Sequence, residues 1–148
     1  MYNDKVMDHF KNPHNMGEIK DADGIGEVGN LVCGDVMHLY IKVGQNKKGE
    51  EIIKDVKFKT LGCVAAIATS SVVTDLAKGK TLKQASAIKK VDIVEALREL
   101  PPIKIHCSIL ATKALAEAIY DYQKKNNKEI SADLEKKHQA IQKEHNQH

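Results

Sequence analysis

The chain alternates between two periodicities, and the switch between them outlines the fold. Residues Asn3 to Lys11 place Val6, Met7 and Phe10 on one helical face, and Pro13 stops that helix soon after. Gly24-Ile25-Gly26-Glu27-Val28-Gly29 reads as a loop leading into a short edge strand. Met37, Leu39, Ile41 and Val43 alternate with His38, Tyr40 and Lys42, the mark of a half-buried strand. Asn46-Lys47-Lys48-Gly49 makes a turn, and Val56 and Phe58 belong to a strand that returns as far as Leu61.

After Gly62 the period becomes helical. Val64 to Lys78 is rich in Ala and Ser, which lets a helix lie close to a sheet, and Gly79 follows as a C-terminal stop. Short helices are expected over Thr81 to Ala87 and over Asp92 to Leu100, the second capped by Asp92 and ended by Pro101-Pro102. From Ser108 onward Leu110, Ala114, Leu115, Ala118, Ile119 and Tyr122 fill one face of a long helix. The tail beyond Asn126 is polar with a thin apolar stripe (Ile130, Leu134, Ile141), either helical or disordered. The expected architecture is α+β: a small antiparallel three-stranded sheet covered on one face by helices. Residues 1–126 form the domain and 127–148 a polar extension.

Composition narrows the class. At 148 residues the chain has the length of one domain, and 42% hydrophobic with 29% charged residues is a globular balance. A net charge of +3, from 23 basic and 20 acidic residues, is too even to argue for nucleic acid. No apolar run reaches the length of a membrane span, and the N-terminus lacks the apolar stretch of a signal peptide, so the expected location is cytoplasmic.

The three cysteines are the sharp signal. An odd number excludes a closed disulfide framework, and Cys33, Cys63 and Cys107 are too dispersed for the paired ligands usual in structural zinc sites. The strand reading nevertheless groups two of them. Cys33-Gly34-Asp35 opens one strand and Gly62-Cys63 closes its antiparallel neighbour, so both lie at one end of the sheet. Cys107 precedes the long helix as Cys63 precedes its own. Thiolates at helix N-termini are favoured by free N–H groups and the helix dipole. Soft thiolates are the preferred ligands of iron–sulfur clusters and of zinc. Asp35 and His106 are candidate fourth ligands that would hold a cluster less firmly. Each alone has an ordinary structural role, as turn residue or helix cap; grouped at the same strand and helix ends, they describe a site. The tail histidines His138, His145 and His148 are too loosely spaced for a defined metal site.

These motifs carry a resemblance. Tyr2-Asn3-Asp4-Lys5-Val6-Met7-Asp8-His9-Phe10, Asn12-Pro13-His14-Asn15-Met16-Gly17, Cys33-Gly34-Asp35-Val36-Met37, Gly62-Cys63-Val64-Ala65-Ala66-Ile67-Ala68 and Leu100-Pro101-Pro102-Ile103-Lys104-Ile105-His106-Cys107 occur in the order found in the IscU-type iron–sulfur scaffold proteins. The likeness, from about Tyr2 to about Lys125, extends to the N-terminal domain of NifU. It implies a non-enzymatic scaffold that builds a 2Fe–2S cluster and passes it to acceptors such as ferredoxin. Cys33, Cys63 and Cys107 would bind the cluster, with Asp35 or His106 as the other ligand. Cys107 would take persulfide sulfur from a cysteine desulfurase, and Asp35 would govern release. Zinc could occupy the site when iron is absent. Leu100, Pro101, Pro102, Ile103 and Lys104 resemble the motif bound by an Hsp70-type chaperone and its co-chaperone, read here as an extended, proline-fixed segment. A homo-oligomer sharing a cluster is compatible with such a subunit. Val64 departs from the family, where many members have Gly.

Three other readings compete. A zinc-dependent sulfur-acceptor of the SufU-like branch would carry an insertion before the third cysteine and lack His106. A purely structural zinc protein leaves Asp35 and Pro101-Pro102 without a purpose. A cysteine hydrolase would need one activated thiol with its base rather than three dispersed ones.

Overall fold

The structure is a computed structural model that describes residues 2–30 and 34–146, with the side chains of Asn30 and of 144–146 excepted; Cys33 lies outside the described residues. Helix α1 (Asp4–Lys11) begins at Asn3, whose side-chain oxygen accepts the Val6 N–H as an N-cap. Three strands follow, β1 (Gly24–Asn30), β2 (Asp35–Gln45) and β3 (Glu51–Leu61), in the antiparallel order β1-β2-β3. Then come α2 (Val64–Ala77), α3 (Leu82–Ser86), α4 (Lys90–Ala96), a 3-10 turn at Pro102–Lys104, α5 (His106–Lys125) and α6 (Ala132–Asn146).

The helices cover one face of the sheet, as the alternation predicts. Met37, Leu39, Ile41, Ile53, Val56 and Phe58 are buried beneath them, whereas Glu27, Lys57 and Lys59 do not join the core. Ile53 and Val56 both point inward because the register shifts between Lys42 and Val43, leaving Lys54 as the extra residue of a bulge. Helix α2 is buried nearly all round, from Ala65 to Ala77, so it lacks a polar face. Its small side chains let it sit between the sheet, α1 and α5.

Several boundaries differ from the sequence expectation, each for a local reason. Gly24 to Gly29 is strand, not loop. A Cβ at Gly24 would lie 2.2 Å from the Ala118 carbonyl oxygen, and one at Gly26 would lie 2.1 Å from that of Ala114. These glycines admit the backbone of α5 onto the sheet rather than turning the chain. Helix α4 starts two residues before Asp92 and ends at Ala96. Asp92 reaches back from inside the first turn to accept the Lys89 N–H at 2.8 Å, and Arg98, at φ 70, breaks the helix before the prolines. The Pro102–Lys104 segment is one 3-10 turn rather than an extended stretch. Cys107 sits inside the first turn of α5, not before it.

The polar tail carries a helix, Ala132–Asn146. Leu134 and Ile141 of α6 are buried, α6 packs on α5, and His138 stacks on Tyr120 with ring centroids 3.7 Å apart. His138 Nδ1 also meets Glu117 Oε1 at 2.8 Å. Among the described residues no helix is long and apolar enough to cross a membrane.

Candidate metal centre at the end of the sheet

The β2–β3 register pairs Val36 with Leu61, so the chain ends that flank this pair, Asp35 on one strand and Gly62-Cys63 after the other, meet at one edge. Cys63 is the N-cap residue of α2 and Cys107 the second residue of α5; packing of α2 on α5 brings their sulfurs to 3.9 Å. Asp35 Oδ2 lies 3.7 Å from Cys107 Sγ, and His106 Nε2 lies 3.6 Å from the same sulfur. Asp35, His106 and Cys107 thus form a group able to hold a metal ion. Of the five residues expected from sequence, four converge here; the fifth, Cys33, is the one outside the described residues.

The site is built with two unlike non-sulfur ligands. Asp35 is only 3% exposed. A buried carboxylate is costly without a cation or strong donors, and thiols are weak donors. His106 donates its Nδ1–H to the Ile103 carbonyl at 2.9 Å, because a carbonyl can only accept. That bond places a proton on Nδ1 and turns Nε2 to the Cys107 side, the usual way a metal-binding imidazole is oriented.

Gly62 makes room for a neighbouring side chain. A Cβ there would lie 2.7 Å from Ala66 Cβ and 2.8 Å from Asp35 Oδ1, so the glycine makes room for the buried carboxylate. Gly34, at φ +73, is the position where the backbone itself requires glycine.

Two residues at the site were not expected there. The Cys63 thiolate, first, and then the Tyr2 hydroxyl hold the Lys104 ammonium above its usual range. Tyr2 is raised by burial and then by the charge of Cys63. Lys104 had been placed in the chaperone segment and Tyr2 in the N-terminal helix motif. Neither has a spacing relation to Cys63, so only the tertiary fold reveals the contact. Within Leu100–Lys104 the outward surface is narrow: Leu100 is buried in the core, whereas Ile103 is 77% exposed.

Comparison with known proteins places the chain in a family. Residues 1–129 match the family model described as NifU-like N terminal domain. The chain is 57% identical over 128 residues to the iron-sulfur cluster assembly scaffold protein IscU 1 of Archaeoglobus fulgidus, covering 86% of this chain and 80% of that protein. It is 54% identical over 127 residues to the iron-sulfur cluster assembly scaffold protein IscU of Escherichia coli strain K12, covering 84% of this chain and 95% of that one. A crystal structure of a NifU-like N-terminal protein from Brucella abortus superposes with a TM-score of 0.63 at 17% identity, over 83% of this chain and 94% of that one. That likeness speaks for the fold.

Proposed function

The chain belongs to the NifU-like N-terminal domain family, and from that premise we propose that it is a scaffold on which an iron–sulfur cluster is built and then handed on, not an enzyme. The observation that carries the proposal is the convergence of Cys63, Cys107, Asp35 and His106 at one sheet end, with a buried carboxylate that a cationic cargo would compensate. Residues 1–126 supply this role and 127–148 add a helix to it.

Cys63 and Cys107, together with Cys33, provide the thiolates for a 2Fe–2S cluster. Asp35 or His106 completes the set. Iron enters as substrate, and zinc can occupy the same thiolates when iron is scarce. Sulfur arrives by exchange: the Cys107 thiolate attacks the outer sulfur of a cysteine desulfurase persulfide. One S–S bond forms, the other breaks, and the desulfurase thiolate leaves. Reduction of the new persulfide to sulfide takes two electrons from a thiol or a reduced electron carrier. Cys107 is 1% exposed in the closed arrangement, so sulfur transfer requires the pocket to open. Asp35 makes the finished cluster labile because a hard carboxylate is the weakest partner for iron among soft sulfurs. Acceptors such as apo-ferredoxin then take the cluster in the cytoplasm. A chaperone of the Hsp70 type with its co-chaperone would read Leu100–Lys104, chiefly at Pro102 and Ile103. Two subunits sharing a cluster would form a homodimer.

The test is anaerobic reconstitution with a cysteine desulfurase and free cysteine, with iron and zinc varied separately. Visible absorption should grow with iron uptake, and mass spectrometry should find persulfide chiefly on Cys107. Sulfur acceptance that needs zinc, ignores iron and gives no colour would replace the scaffold by a sulfurtransferase.

A further inference from the structure

A second cluster of potential ligands lies at the far end of α2. His9 is in the last turn of α1, His14 follows Pro13 in the next loop, and Asp75 is in the last turn of α2. Their ligand atoms all lie within 4.8 Å of one another. Asp75 is twelve residues along the helix from Cys63, about 18 Å at the α-helical rise of ~1.5 Å per residue. We propose that His9, His14 and Asp75 form a second metal site, for a borderline divalent ion such as Zn²⁺ or Co²⁺, independent of the cysteine centre.

The cluster is pre-oriented by its surroundings. The His9 and His14 rings sit 4.7 Å apart, inclined at 50°. Ser71, one helical turn before Asp75, accepts the His14 backbone N–H at 2.8 Å, and its Oγ lies 2.8 Å from His9 Nδ1. That contact fixes the buried ring through one nitrogen and leaves the other for a ligand, the arrangement seen around metal-bound imidazoles. Asn15 donates to Asp75 Oδ1 at 3.3 Å, steadying the carboxylate whose Oδ2 meets His14 Nδ1 at 2.5 Å.

The donor set selects the ion. Two imidazoles and a carboxylate, without sulfur, suit zinc and its borderline neighbours and offer little to a soft-metal cluster. Ligand atoms in a tetrahedral zinc site lie about 3.4 Å apart, given bonds of ~2.0–2.1 Å. The widest pair must therefore contract by no more than about 1.4 Å, and the His14–Asp75 pair, now 2.5 Å apart, must open by about 0.9 Å as the ion replaces their hydrogen bond, distances that rotamer changes cover. His9 is buried and stays in place, while the His14 and Asp75 side chains are 53% and 41% exposed and can close on the ion. An ion there would pin α1 and the following loop to α2. The same loop bonds to β3, with Phe58 donating to the Asn15 carbonyl and Gly17 to that of Phe58.

The test uses the full chain with Cys33, Cys63 and Cys107 all changed to Ser, so that no thiolate remains. Titration with Co²⁺ should show one ion per chain with d–d bands and no sulfur charge-transfer band. Adding His14→Ala or Asp75→Ala should weaken that ion at least about tenfold, while His138→Ala should leave it unchanged. If the triple variant misfolds, zinc analysis of the unsubstituted protein replaces it: two ions per chain, falling to one in His14→Ala. Absence of a sulfur-free ion, or an ion indifferent to both substitutions, overturns the proposal.

Discussion

Gly62→Ala tests whether the glycine next to Cys63 exists to accommodate the buried Asp35. The added Cβ would stand 2.7 Å from Ala66 Cβ and 2.8 Å from Asp35 Oδ1. Carbon atoms normally approach to about 3.5 Å, so the overlap at Ala66 is roughly 0.8 Å. Ala66 cannot rotate away, being a methyl on the first turn of α2. Asp35 can yield only by swinging its carboxylate out of a buried niche. Overpacking of this kind costs about 1–3 kcal/mol. Replacing Gly stiffens the unfolded chain and returns about 0.4–1 kcal/mol. A net loss of about 1–2 kcal/mol lowers the apo-protein Tm by about 2–8 °C for a chain of this size.

The decisive measurement is a double-mutant cycle with Asp35→Ala, followed by urea unfolding of the four apo-proteins. Truncating Asp35 removes one of the two clashing neighbours, so Gly62→Ala should cost less in that background, with a coupling of at least about 0.5 kcal/mol. Additivity within about 0.3 kcal/mol would show that Gly62 is not there for the carboxylate.

Further expectations follow from the same geometry. Cys33→Ser, Cys63→Ser and Cys107→Ser should each abolish stable cluster assembly while leaving far-UV circular dichroism unchanged, because a serine hydroxyl is a poor ligand for iron at neutral pH. Normal reconstitution by any one of them would contradict the three-thiolate site. Asp35→Ala should lengthen the lifetime of an assembled cluster and slow its transfer to apo-ferredoxin; faster decay would recast Asp35 as a holding ligand. Burial, then the hydrogen bond to Glu51 and its charge, pushes the Tyr122 phenol up from 10.0 to about 12. A phenol raised by folding contributes stability that is fully present below its unfolded value and lost as pH rises from 10.0 towards about 12. Tyr122→Phe should therefore flatten the fall in stability over that window in urea unfolding, and an unchanged slope would refute the assignment.

The strands and the major helices were legible because their burial follows short-range periodicity: Leu39, Ile41 and Phe58 alternate, and the Ala/Ser run of α2 reads as a helix. What was misread depends on distant backbone. Glycines at 24 and 26 look like a loop until α5 is seen lying on them. Asp92 is chemically suited both to cap a helix and to reach back from its third position, and sequence does not choose between them. Four of the five candidate residues, Asp35, Cys63, His106 and Cys107, could be picked out in the sequence and come together, whereas their surroundings were less legible. Lys104 and Tyr2 reach Cys63 only through the packing of the α5 entry and the N-terminal segment around α2. The His9, His14 and Asp75 cluster was likewise hidden, since Asp75 is joined to the histidines only by α1 packing on α2.

In the proposed role, the arrangement around Cys107 would let the site hold a cluster and still release it. Asp35 Oδ2 and His106 Nε2 approach the same sulfur to 3.7 and 3.6 Å, from β2 and from the first turn of α5. An iron bound to Cys107 is therefore within reach of either ligand without movement of the sulfur. Their costs when iron leaves are unequal. His106 keeps its Nδ1–H bond to the Ile103 carbonyl. Asp35 is left only 3% exposed, with the weakly donating Cys107 thiol beside it among the described residues, a setting that favours retaining a cation. In the proposed role, burial of Asp35 thus promotes capture of iron, and its hardness weakens the finished cluster once sulfide has neutralised the charge. Moving the carboxylate should consequently slow the first iron-binding step and extend cluster lifetime in the same variant. A fourth cysteine in place of Asp35 should extend the lifetime further, because a soft thiolate ligand removes the hard, exchangeable position from the site.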